Sequence, residues 1–255
     1  MSFASILDCE SYDSALKTSA ALLGRKPDEL LRALRRFEYE KVTEPERRLR
    51  PYEDLLIRHS IGITPDDLPA PPLVYWFHAT RVPPGTDFRE GILSLSDVLD
   101  RVWQLLGELA SDWSTSEEWA NFRQGMKGDG ALQYSSKLAY PGPYGFLIRD
   151  VIFRPSELRN HDFLGIPEIV EDICLSYDEM FGKQLRQRYL DFTRPCIVKF
   201  GSELPRPDAL ASALAYIHAV SRGGDLPRWS NNSFSGEGVS ISPEAIVRIE
   251  WPEPP

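Results

Sequence analysis

Residues 73–93 read LVYWFHATRVPPGTDFREGIL. The first five side chains are apolar or aromatic, and the sixth, His78, interrupts the run. β-Branched and aromatic residues in a short uninterrupted series predict a buried strand. His78, Thr80 and Arg81 fall at its end, and a Gly-Ile pair, Gly91 and Ile92, follows a proline-containing loop. A polar cluster where a buried strand ends is a common place for binding chemistry.

Upstream the texture is helical. Ser11 or Asp13 can cap a helix carrying Leu16, Ala20 and Leu23 and stopping at Gly24. A second helix opens near Pro27 and places Leu30, Leu31, Leu34 and Phe37 on one stripe. The proline-rich ITPDDLPAPP then separates a helical N-terminal region, residues 1–70, from an α+β domain, residues 71–255. Downstream, SLSDVLDRVWQLLGELASDW predicts an amphipathic helix capped by Ser96, and SEEWANFRQGM a shorter one. ALQYSSKLAY and YGFLIRDVIF read as strands. One long helix is expected over IPEIVEDICLSYDEMFGKQLRQRYLDF, and another over RPDALASALAYIHAVSRGG. CIVKFGS and the terminal GEGVSISPEAIVRIEW complete the strands. Helices and strands mix without regular alternation, which favours α+β over a doubly wound sheet.

Composition removes several function classes. The net charge of −9 disfavours non-specific binding to phosphate backbones. No apolar run is long enough to span a bilayer, and the N-terminus lacks a basic stretch ahead of an apolar one, so neither a membrane segment nor a secretory signal is expected. Cys9, Cys174 and Cys196 show no paired spacing, which points to a reducing, cytoplasmic setting. His59, His78, His161 and His218 are dispersed, so no metal is expected. Phosphate-binding glycine loops and the nucleophile elbow are absent. The acids Glu168, Glu171, Asp172, Asp178 and Glu179 would share a helix. They suggest a metal-dependent hydrolase only if another helix adds a carboxylate.

FHAT at 77–80, FREGIL at 88–93 and GEGVSISPEAIVRIEW at 236–251, in that order, resemble the ADP-ribosyltransferase-like family whose members carry a His-Tyr-Glu triad. The resemblance covers roughly residues 73–251. It implies a split mixed or antiparallel sheet with flanking helices, preceded here by the helical N-terminal region, and transfer of ADP-ribose from NAD to an acceptor macromolecule, as bacterial toxins and defence effectors of this type do. It implies His78, Tyr134 and Glu237 as the catalytic set, with Tyr140 and Tyr144 as rivals for the middle place. His78 would orient a ribose hydroxyl, Thr80 support the pocket, Tyr134 stack near the nicotinamide, Ser135 shape the floor, Arg81 reach the pyrophosphate, and Glu237 stabilise the positive charge on the ribose. Ala79 stands where the family has glycine, and its methyl group is expected to crowd a bound ribose. The alternative is a non-catalytic interaction module, with the N-terminal helices docking a protein partner.

Overall fold

The structure is a computed structural model describing residues 6–126, 142–226, 230 and 232–253. In chain order the elements are β1 (Ile6–Leu7), α1 (Tyr12–Leu22), α2 (Pro27–Arg35), α3 (Glu44–Leu49), α4 (Tyr52–Ser60), β2 (Leu73–Val82), α5 (Leu95–Ala110) and α6 (Ser116–Met126). They continue with β3 (Tyr144–Phe146), α7 (Pro155–Leu158), α8 (Glu168–Phe181), α9 (Leu185–Phe192), β4 (Arg194–Ser202), α10 (Pro207–Ser221), β5 (Ser233–Ser235) and β6 (Ile246–Glu250). The protein is α+β, with helices flanking a six-stranded sheet of hydrogen-bonded order β5-β3-β2-β4-β6 and β1 beside β2. The sheet is mixed. β1 runs parallel to β2, pairing Ile6 with Leu73, and β3 runs antiparallel to it, pairing Phe146 with Phe77.

Local chemistry explains most boundaries. Ser11 and Ser14 form a reciprocal capping box at α1, satisfying two backbone donors that the helix leaves open. Pro27 occupies the first turn of α2, where its missing N–H costs nothing. The helix expected as one piece after residue 166 breaks at Gly182, which takes a left-handed φ of 64° and separates α8 from α9. Ser94, not Ser96, holds the cap position of α5. The strand expected over 144–153 ends at Phe146, and Arg149–Phe153 wind into a 3-10 turn.

By contacts the chain divides into two compact units. The first comprises Met1–Phe77, Gly145–Asn160 and Phe200–Phe234. Its centre is α10, which packs on α1, α2 and α4 and is buried on every face from Leu214 to His218. A helix apolar all round belongs in a core, and this one carries a single buried imidazole. His218 Nδ1 lies 2.6 Å from the Tyr52 hydroxyl, and Nε2 lies 3.3 Å from the Phe37 carbonyl. Burial pushes the Tyr52 phenol up to about 12, so it stays a donor. The carbonyl can only accept. His218 is therefore neutral with its proton on Nε2.

Burial lowers the His218 pKa from its ordinary value of 6.5, with the Phe37 carbonyl acting in the opposite sense. The unfolded chain then binds more protons than the folded one as pH falls below about 6.5, so this group's contribution to stability is full above that value and is lost progressively as pH falls toward the lower, folded-state pKa. We expect the urea midpoint to fall with acidification through this range, and His218→Gln to flatten that slope. A midpoint independent of pH there in the native sequence would contradict the neutral assignment.

The second unit comprises His78–Tyr144, His161–Lys199 and Ser235–Pro255. Its core joins α5, α6, α8 and α9 through Trp103, Leu106, Phe122, Ile173, Tyr177 and Tyr189. The Trp119, Phe122 and Tyr177 rings meet tilted or edge-on at 5.4–5.6 Å between centroids. All three cysteines are buried, and burial pushes the Cys174 thiol up to about 12, which keeps it from acting as a nucleophile. No helix among the described residues is long and apolar enough to cross a membrane.

Candidate functional site

β2 sorts its own residues. At even positions Val74 and Trp76 are buried while His78 and Thr80 are partly exposed; at odd positions Phe77, Ala79 and Arg81 are buried. Side chains alternate between the faces of a strand, so His78 and Thr80 share one face and Ala79 and Arg81 the other. The Ala79 methyl therefore points away from any ligand held by His78, and the crowding expected from the missing glycine does not arise.

His78 Nδ1 is 2.7 Å from the Tyr144 carbonyl oxygen. A carbonyl only accepts, so Nδ1 carries the proton and the neutral ring presents Nε2 as a bare acceptor. Burial pulls the imidazole below its usual range, and the carbonyl hydrogen bond works against that. The side chain is thus neutral at pH 7 and offers one lone pair, the group needed to receive a hydroxyl proton.

Glu237 occupies a tight turn after β5. The Val239 amide donates to the Gly236 carbonyl at 2.9 Å, and φ is 51° at Glu237 and 88° at Gly238. Two positive φ values at the centre of a four-residue turn are the signature of type I′, which normally takes Asn or Gly first. Glutamate there costs of order 1 kcal/mol, and its carboxylate is exposed. The turn is anchored to residues 142–144. The Gly236 amide donates to the Pro143 carbonyl at 2.9 Å and the Gly238 amide to the Gly142 carbonyl at 2.8 Å. Gly236 permits this approach, because a Cβ would lie 2.7 Å from Pro143 Cδ. His78 and the Glu237 turn are therefore fixed to one three-residue strap.

The other expected site residues stand as follows. Thr80 shares the His78 face. Tyr134 and Ser135 lie outside the described residues, as does Tyr140. Tyr144 contributes its carbonyl to His78. Its ring is exposed, and because a Cβ on Gly145 would face Trp76 and Phe200, alternation turns the Tyr144 ring to the opposite face. Phe234 packs on Trp76 and Phe200 in the first unit.

Arg81 has a different role from the one expected. Its Nε donates to Thr193 Oγ1 at 3.1 Å, Nη1 to the Leu164 carbonyl at 2.9 Å, and Nη2 to the Leu190 and Thr193 carbonyls at 3.0 and 2.8 Å. The guanidinium is buried and spent on backbone oxygens, which leaves it unable to serve as a phosphate ligand. It braces the loop before α8 and the end of α9 against β2.

The acids of α8 form no second centre. Glu171 approaches His161 at 3.8 Å and Arg186 at 3.9 Å, and Asp178 accepts from the Leu185 amide at 2.8 Å. Among the described residues no group of three or more His, Cys, Asp or Glu side chains could hold a metal ion.

Two features escaped the sequence reading: the 142–144 strap, and the 2.8 Å hydrogen bond between Ser240, just after Glu237, and Asp97 in the first turn of α5. The only available signals were PGP beside a tyrosine and the alternating SIS after the glutamate. No protein-family model, curated protein or solved structure matches the chain.

Proposed function

We propose that the protein transfers ADP-ribose from NAD to an acceptor macromolecule, on a split sheet of the ADP-ribosyltransferase-like kind. One observation carries the reading: His78 and the turn bearing Glu237 are hydrogen-bonded to the same strap, residues 142–144. Residues far apart in the chain thereby supply an acceptor for a sugar hydroxyl and an exposed carboxylate on a turn bonded to the same strap.

The residues fit part of NAD. His78 Nε2 can accept a ribose hydroxyl, Thr80 extends the same face by one strand repeat, and the left-handed backbone at Glu237 spends stability on presenting a carboxylate. The pyrophosphate finds no partner in Arg81. In the reaction the bond between ribose and nicotinamide breaks, and nicotinamide leaves with the electron pair. Glu237 stabilises the charge growing on the ribose, while His78 holds the sugar in register. An acceptor nucleophile then bonds the ribose carbon and gives up its proton. The test is nicotinamide release from labelled NAD, with and without cell lysate as acceptor. Release by the native protein supports the reading, and no release under either condition overturns it.

A further inference from the structure

We propose that Asp97 and Ser240 are positioning residues for Glu237, tying its turn to the first turn of α5. The inference rests on the reading of Glu237 given above. Ser240 Oγ accepts from the Ser94 amide at 2.7 Å and donates to Asp97 Oδ2 at 2.8 Å. Ser94 Oγ donates to the same carboxylate oxygen at 2.8 Å. One charged group thus collects two hydroxyls, the stronger kind of hydrogen bond. Asp97 lies in the first turn of α5, where the open backbone N–H groups also favour a negative charge.

The next residue extends the clamp. Ile241 and Ile92 exchange both backbone hydrogen bonds, at 2.9 and 2.8 Å. Gly91 makes this contact possible, since it has a φ of 81° and a Cβ there would lie 1.8 Å from the Ile241 oxygen. Glu237 is therefore held on both sides: Gly236 and Gly238 are bonded to the strap, and Ser240 and Ile241 to the segment entering α5. A left-handed glutamate persists only where its surroundings over-determine it, so loss of one anchor lets the turn relax and moves the carboxylate. A displacement of about 1 Å is enough to cost about 10²-fold in rate.

The test combines amide hydrogen exchange with nicotinamide release for Ser240→Ala, Asp97→Asn and Ser240→Thr. In the first two, exchange at the Gly238 and Ile241 amides should quicken by about tenfold or more while α8 amides stay unchanged. Turnover should fall about 10- to 100-fold with the KM for NAD moving less than about twofold. Ser240→Thr keeps the hydroxyl and should restore both readouts. Should Asp97→Asn fail to fold, Ser240→Ala carries the test alone. Unchanged exchange overturns the clamp, whether or not NAD is consumed. Faster exchange with native turnover overturns its positioning role. Faster exchange in a protein whose native form releases no nicotinamide leaves the anchor standing and overturns the catalytic reading it serves.

Discussion

Replacing Glu237 by glutamine is expected to lower nicotinamide release by about 10²- to 10³-fold, the usual effect of removing one preorganised group that meets charge as it develops. The KM for NAD should change little, because the carboxylate acts on a charge absent from the ground state. Glutamine keeps the shape and the left-handed backbone, so the melting temperature should stay where it is. Glu237→Asn separates function from stability more sharply. Asparagine tolerates positive φ far better than glutamate, so this variant should be more stable by about 0.5–1 kcal/mol while losing activity equally. A residue whose removal improves the fold and destroys turnover is held in place by function. Calorimetry and the release assay on the same preparations decide it. Loss of stability in Glu237→Asn would mean that the turn needs glutamate for its own sake.

Arg81→Met is expected to destabilise the protein by about 3–5 kcal/mol, measured by urea unfolding. The native guanidinium satisfies the carbonyls of Leu164, Leu190 and Thr193 and the Thr193 hydroxyl. Methionine fills much of the same space but returns none of these hydrogen bonds, and each buried acceptor left open costs about 1–3 kcal/mol. Arg81→Lys should recover only part of the loss, since an ammonium cannot span the planar fork of contacts. An Arg81→Met protein as stable as the native one would show that the guanidinium is not a brace.

The case of Arg81 shows what was legible in the sequence. Phe77 and Ala79 lie on its side of β2, so alternation alone marks position 81 as buried, while the resemblance drew attention to its charge instead. His78 and Glu237 were visible because each sits in a short local pattern: a polar residue ending an apolar strand, and an acid between two glycines before the last strand. What joins them was not visible. The strap at 142–144 acts through backbone carbonyls, which every residue has, and no side-chain pattern marks a carbonyl that will meet His78 rather than water. The Ser94, Asp97 and Ser240 clamp escaped for a related reason. Its partners lie far apart in the chain, and SLSD reads equally well with either serine as the cap. Helices fared better, because capping and periodicity are local. The expected strand beyond Phe146 failed because an apolar run suits a 3-10 turn as well as a strand.

In the proposed reaction His78, oriented by the Tyr144 carbonyl, receives a ribose hydroxyl on Nε2. Imidazole nitrogen NMR on Glu237→Gln, which should bind NAD but turn it over slowly, tests this most directly. The free protein should show His78 with a protonated Nδ1 and a bare Nε2. Adding NAD should shift the His78 Nε2 resonance toward that of a hydrogen-bonded acceptor and leave His59, His161 and His218 unmoved. A His78 spectrum unchanged at saturating NAD, or one with the proton on Nε2 in the free protein, would rule out this role for His78.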